Sequence, residues 1–252
     1  QVQRSLAAPA ERVTHAPART PPAGTQSRIQ RDLAASELES FGTAAQNQFM
    51  RRVYDLQRRR ASRQRTFIAD IPAEELAVVE GNIKLRLPAA EACRNLLAAA
   101  RAALAADQQR GDAVALQAQS IGLVSGYRSA TTQLGEWREN FPNYYAETQE
   151  DRAALAGGEH GDEAAALLAR YIGGRLASPG YSLHNNGIAI DFKTRQGELE
   201  LRARTNQIAQ WEQAWFYSWL TAHASEYQFA HNPGINEPWH WEFQGEIETS
   251  AE

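Results

Sequence analysis

His184 and Asp191 stand seven residues apart around an Asn185-Asn186-Gly187 turn, in a stretch, YSLHNNGIAIDF, that otherwise reads as a buried strand. Burying an imidazole and a carboxylate is costly unless something pairs them. In a strand from Gly187 to Phe192 side chains alternate, so Ile188, Ile190 and Phe192 share the core face and Gly187, Ala189 and Asp191 the other. Two small residues ahead of the carboxylate leave room for an object in front of it, and the turn can fold His184 back toward that object. A metal ion fits these donors. Catalytic zinc sites use three such protein ligands and a water, so a third ligand is needed. Among the six histidines, His240 stands out, in NEPWHWEF, where Trp239, Trp241 and Phe243 point one way and His240 and Glu242 the other. A lone histidine beside tryptophans is more often a satisfied core or surface residue. Glu237, three positions earlier and beyond the bend of Pro238, shifts that balance: a carboxylate there approaches the open position of a metal without being a ligand, where a general base must stand.

These residues need a sheet to hold them. SIGLVSGYRS reads as a strand ending in a glycine turn, and EPWHWEF as a final strand. Pro88 opens an Ala-rich helix running to about Ala106, proline being tolerated in the first helical turn. A helix is expected around 205–224, with Trp211, Trp215 and Trp219 at four-residue spacing as a packed face and not a sugar-binding stripe. FIADIPAEELAVVEGNIKLRLP reads as a short strand and turn region. The segment 134–180 is mixed, with a helical piece near 162–171 and glycines at 157, 158, 173, 174 and 180; lying between two site-bearing stretches, it is expected to act as a lid.

At the N-terminal end, residues 1–28 mix Pro, Ala, Thr and Arg with few large apolar residues and read as a flexible tail or linker. Residues 29–65 read as one amphipathic helix, from Ile29, Leu33, Leu38, Phe41, Ala45, Phe49, Val53 and Leu56 at mostly three- and four-residue steps. Its end carries seven arginines between Arg51 and Arg65, read first as a solvated face and second as a dock for an anionic surface. No motif residue precedes Ser125, so a chain starting near Arg65 is expected to retain its chemistry.

Composition sets the outer limits. In 252 residues, 43% apolar and 22% charged is ordinary for a folded enzyme or binding module. A net charge of -4 gives no global pull toward nucleic acid. No run approaches the roughly 18 to 20 apolar residues of a membrane-spanning helix. Cys93 is the single cysteine, so no internal disulfide forms, and its Ala-rich surroundings suggest an inert buried thiol. The chain begins at Gln1 without a secretory leader, and a processed or trimmed chain is expected.

Taken together, the motifs resemble a known family. Ser182, His184, Gly187, Ala189 and Asp191 fill S-x-H-x-x-G-x-A-x-D, Glu237 and His240 fill E-x-W-H, and Ser125, Gly126, Tyr127, Arg128, Ser129 and Gln133 fill an upstream S-G-Y-R-S with its following glutamine. In order and spacing these are similar to the D-alanyl-D-alanine carboxypeptidase family of zinc peptidases, which shares its scaffold group with the hedgehog signalling domain. The resemblance implies an α+β fold, a small antiparallel sheet flanked by helices, for a peptidase domain over 66–252, with the 29–65 helix as an appendage. It implies Zn2+ held by His184, Asp191 and His240, with Glu237 as catalytic base and Arg128 facing the substrate's terminal carboxylate or the oxyanion. Ser182 and Gln133 would be substrate-binding, supporting contacts. It implies a peptidoglycan stem peptide as substrate, release of terminal D-Ala as the reaction, and an extracytoplasmic or delivered location, with the N-terminal region as contact to an anionic surface or a delivery machinery. An endopeptidase acting as a lysin or antibacterial effector stays open beside it, as does a non-catalytic zinc-binding module, against which Glu237 and Arg128 both speak.

Overall fold

The structure is a computed structural model that describes Leu38 and residues 41–247. The tail expected over 1–28 and the first residues of the expected 29–65 helix lie outside the described residues. The helix itself, α1, is shorter than that span and covers Ala44–Ala61. Thr43 stops it from starting earlier: its side chain accepts from the Gln46 amide while the Gln46 side chain accepts from the Thr43 amide, a reciprocal cap on two otherwise unmet donors.

Next come a hairpin, β1 (Leu76–Glu80) and β2 (Ile83–Arg86), and helix α2 (Leu87–Gln109) with Pro88 in its first turn. Ala89, Ala90, Cys93, Leu96, Leu97, Ala100 and Leu104 form the buried stripe of α2. The alanines in that stripe let the helix approach its neighbours closely. Strand β3 (Ala118–Ser125) follows, then helices α3 (Ala130–Glu147), α4 (Gln149–Ala153) and α5 (Asp162–Gly173). The chain then returns to the sheet through β4 (Ala189–Gln196) and β5 (Leu199–Leu201). After helices α6 (Ile208–Glu212) and α7 (Trp215–His223) it ends in β6 (Phe229–His231) and β7 (His240–Phe243). The main sheet has the order β3-β4-β7-β6, with β5 also on β4, and every pairing is antiparallel. The architecture is α+β.

The apolar side chains gather into two cores. One lies between the main sheet, α2 and the α6–α7 segment, and includes Leu96, Ile190, Phe192, Trp211, Phe216 and Trp241. The other is helical: Phe49, Val53 and Tyr54 of α1 meet Leu134, Trp137 and Phe141 of α3 and Leu168 and Ile172 of α5. The α1 helix is therefore packed with helices of the 134–180 segment.

The single helix expected over 205–224 is broken. Ala214 is extended, with φ -75° and ψ 142°, and the break lets two tryptophans use different partners: Trp211 Nε1 donates to the Arg202 carbonyl at 3.0 Å and Trp215 Nε1 to Asp107 Oδ2 at 2.9 Å. An uninterrupted helix would tie both indoles to one line. The packed face expected for the tryptophans is present, with Trp211 and Trp215 buried and Trp219 half-buried beside them.

Candidate metal centre

Register across three strands builds the site. Asp191 of β4 lies opposite His240 of β7 on one side and opposite Ser125 of β3 on the other. Directly opposed residues of an antiparallel pair share a face and bring their side chains together. His184 arrives from the loop before β4. There the Asn185 amide donates to the Ser182 carbonyl at 3.0 Å and the Gly187 amide to the His184 carbonyl at 3.2 Å, closing the turn. Gly187 has φ +67°, a region L side chains rarely enter, and a Cβ there would press on the Arg86 backbone nitrogen at 3.2 Å. The Arg86 amide donates to the Gly187 carbonyl at 2.9 Å, so the turn is fastened to the start of α2. The strand itself begins at Ala189, two residues later than the Gly187–Phe192 reading.

One nitrogen or oxygen from each of His184, Asp191 and His240 lies within 4.8 Å of the others. His184 Nε2 is 3.4 Å from Asp191 Oδ2, and His240 Nδ1 is 2.9 Å from Asp191 Oδ1. The outward nitrogens are also engaged. His184 Nδ1 donates to the Gly126 carbonyl at 2.8 Å, which leaves Nε2 with its lone pair toward the cluster. His240 Nε2 faces Glu242 Oε1 at 3.4 Å, which leaves Nδ1 toward Asp191. Carbonyl and carboxylate partners of this kind orient metal-binding imidazoles and raise their basicity. Ser125 Oγ donates to Asp191 Oδ2 at 2.6 Å and holds the carboxylate in place.

The electrostatics call for a cation. Burial pushes the Asp191 carboxyl up, yet His184 and His240 outweigh it and hold the group well below the usual carboxylate range. Burial also works against the His240 imidazolium, but hydrogen bonds to Asp191 and Glu242 raise its pKa to about 9. A carboxylate set between two imidazoles is a place that favours positive charge. Two imidazoles and a carboxylate, each with an outward partner, are the donor set of a three-ligand zinc site. The residues fit the ion.

Around the cluster, Glu237 lies within electrostatic reach of all three residues, and burial is the chief cause of its raised pKa. Its carbonyl accepts from the His240 amide at 2.9 Å and from His231 Nε2 at 3.1 Å, which ties the Glu237 backbone to β6 and β7. Arg128 joins through its backbone: its amide donates to the His184 carbonyl at 3.1 Å and its carbonyl accepts from Asn185 Nδ2 at 2.8 Å. Its side chain pairs with Glu136 of α3. Ser182 and Gln133, expected as substrate-binding contacts, are both buried. Ser182 Oγ accepts from the His184 amide at 3.2 Å, and Gln133 is fully buried with Nε2 donating to the Ala177 carbonyl at 2.7 Å.

The reading of the sequence placed Ser125 in a motif and Glu242 on the face of His240 without giving either a task, and it did not single out Glu136. Glu242 was within reach of it, because residues i and i+2 of a strand share a face with His240. Ser125 needed the β3–β4 register and Glu136 needed the path of α3, neither of which local pattern contains.

No curated protein matches the chain. Several solved structures are similar to it. The vancomycin-resistance D,D-pentapeptidase VanY of the VanB-type cassette, in complex with Zn(II), is 20% identical with a TM-score of 0.43, covering 71% of this chain and 87% of its own. VanYB in complex with D-alanine-D-alanine is 21% identical, TM-score 0.43, covering 71% and 86%. The LD-carboxypeptidase LdcB is 22% identical, TM-score 0.43, covering 69% of each chain. The VanY family, D-alanyl-D-alanine carboxypeptidase, matches residues 82–246, more than half of the sequence and all of the metal cluster. The chain belongs to the D-alanyl-D-alanine carboxypeptidase family.

Proposed function

We propose that the protein is a zinc-dependent peptidase of peptidoglycan stem peptides, a D,D-carboxypeptidase that releases the terminal D-Ala. The observation that carries this reading is the buried His184–Asp191–His240 cluster with Glu237 beside it. Zinc held by these three residues supplies Lewis acidity and lowers the pKa of a water to about 7.

The chain's own groups do the rest. Glu237, its carboxyl pKa raised chiefly by burial, accepts a proton from the attacking water at a carboxylate oxygen. It then delivers that proton to the amine nitrogen as the peptide C–N bond breaks, which balances the hydrolysis. Arg128, tied by its backbone to the His184 loop, offers a planar cation to the substrate's negative charge. A terminal carboxylate so bound selects peptides that end one residue past the scissile bond. Such substrates lie outside the cytoplasm, and the protein acts there or is delivered there.

A purified pentapeptide stem and its C-terminally amidated twin decide the matter, with products identified by mass spectrometry. Release of D-Ala from the free acid and slow reaction of the amide are expected. Equal rates on both, or cleavage between internal residues, would refute the carboxypeptidase reading and favour an endopeptidase.

A further inference from the structure

We infer that Glu136 is a positioning residue for Arg128: it grips Nη1 of the guanidinium and so sets the orientation in which the cation meets the substrate. This rests on the peptidase reading above. Glu136 accepts from Arg128 Nη1, and the two side chains keep 36% and 27% of their surface exposed. Arg128 Nε is buried and has no hydrogen-bond partner among the described residues. In a guanidinium, Nε–H and one Nη2–H point the same way and match the two oxygens of a carboxylate, while Nη1 lies on the far side. Glu136 therefore occupies the nitrogen that a carboxylate on the Nε–Nη2 edge does not use.

Glu136 is itself held by the helical core. It lies on the second turn of α3, capped by Ser129 Oγ, which accepts from the Thr132 amide at 2.9 Å. One residue on, Trp137 is fully buried and its Nε1 donates to Gln57 Oε1 of α1 at 2.7 Å. The line from α1 through Trp137 to Glu136 carries the rigidity of the second core to the guanidinium. Arg128 thus has its backbone fixed by the metal-binding loop and its side chain by α3. An ordinary surface ion pair would contribute little and have no bearing on substrate choice.

The test uses the zinc-loaded full chain, the pentapeptide acid and its amide. Glu136→Gln and Glu136→Ala are expected to raise KM for the acid by about 10- to 100-fold, the scale of a misplaced binding group, with kcat, zinc content and Tm unchanged. Glu136→Asp should restore part of the loss. In the inactive Glu237→Ala background the Kd of the acid should rise by the same factor. In an Arg128→Ala background, Glu136→Gln should add no further loss, because the two act as one unit. A Glu136→Gln protein indistinguishable from the parent, or one whose loss persists undiminished without Arg128, overturns the proposal. If Arg128→Ala is itself silent, both the proposal and the reading of Arg128 fail. If acid and amide fall alike while the coupling to Arg128 remains, the positioning role stands and the carboxypeptidase reading fails.

Discussion

At the level of single residues, ligand and base are separable by experiment. His184→Ala and His240→Ala each remove one of the three proposed ligands and are expected to abolish stoichiometric zinc by elemental analysis. Glu237→Ala should keep zinc and fold while losing turnover by about 100- to 10,000-fold, the usual weight of a general base. Zinc lost from that variant would make Glu237 a ligand. Ser125→Ala and Glu242→Gln remove partners of Asp191 and His240, and zinc affinity measured by competition should fall by about 10- to 100-fold. Because the His240 pKa in the metal-free cluster is about 9, the imidazole is protonated at pH 7 and must lose that proton to bind metal. Zinc titration in weakly buffered solution at pH 7 should therefore release protons, and affinity should rise with pH toward 9. Cys93 is fully buried and burial pushes its thiol up to about 12. Thiol reagents should leave it unmodified until the protein unfolds.

Elements matter here through where they touch. The loop after β3 passes β2 so closely that a Cβ on Gly126 would lie 2.6 Å from the Lys84 carbonyl oxygen. The same glycine's carbonyl accepts from His184 Nδ1. Gly126→Ala must push the two segments apart and is expected to cost about 1–3 kcal/mol, as overpacking does. It should also lower zinc affinity, since the carbonyl moves with the backbone. Denaturant unfolding and metal competition read the two effects separately; a variant with parental values in both would show that the loop adapts without cost.

For the molecule as a whole, the second core changes the expectation for the N-terminal helix. Phe49, Val53 and Tyr54 are buried against α3 and α5. After α1, the Arg65 guanidinium donates to the Tyr181 carbonyl at 3.2 Å and the Ile68 amide to the Gly180 carbonyl at 2.8 Å, beside the loop that carries Ser182 and His184. A chain starting at Arg65 would leave Leu134, Trp137, Phe141 and Leu168 facing water, and such apolar patches drive aggregation. It is expected to be insoluble or aggregated by size-exclusion chromatography. A soluble, zinc-binding and active truncated chain would show that the two cores fold independently. The arginine face is partly committed as well, since Arg52 binds Asp162 Oδ1 at 2.9 Å and Arg58 binds Asp55 Oδ1 at 3.3 Å.

The strands that carry Asp191 and His240, and the glycine turn beside His184, were legible in local pattern. An alternating strand that carries Asp191, a glycine turn behind His184 and a strand with His240 and Glu242 on one face are local patterns, set by backbone sterics within a few residues. The start of α2 at Pro88 and the packed tryptophans were legible for the same reason. Tertiary structure alone decided that Asp191 stands opposite both His240 and Ser125, because register depends on strands far apart in the chain. It also decided the break at Ala214, where two indoles found different acceptors. It placed α1 and α3 in one core and so set Glu136 against Arg128. A periodic apolar stripe states that a helix will bury a face, and only the folded chain supplies the surface that face meets.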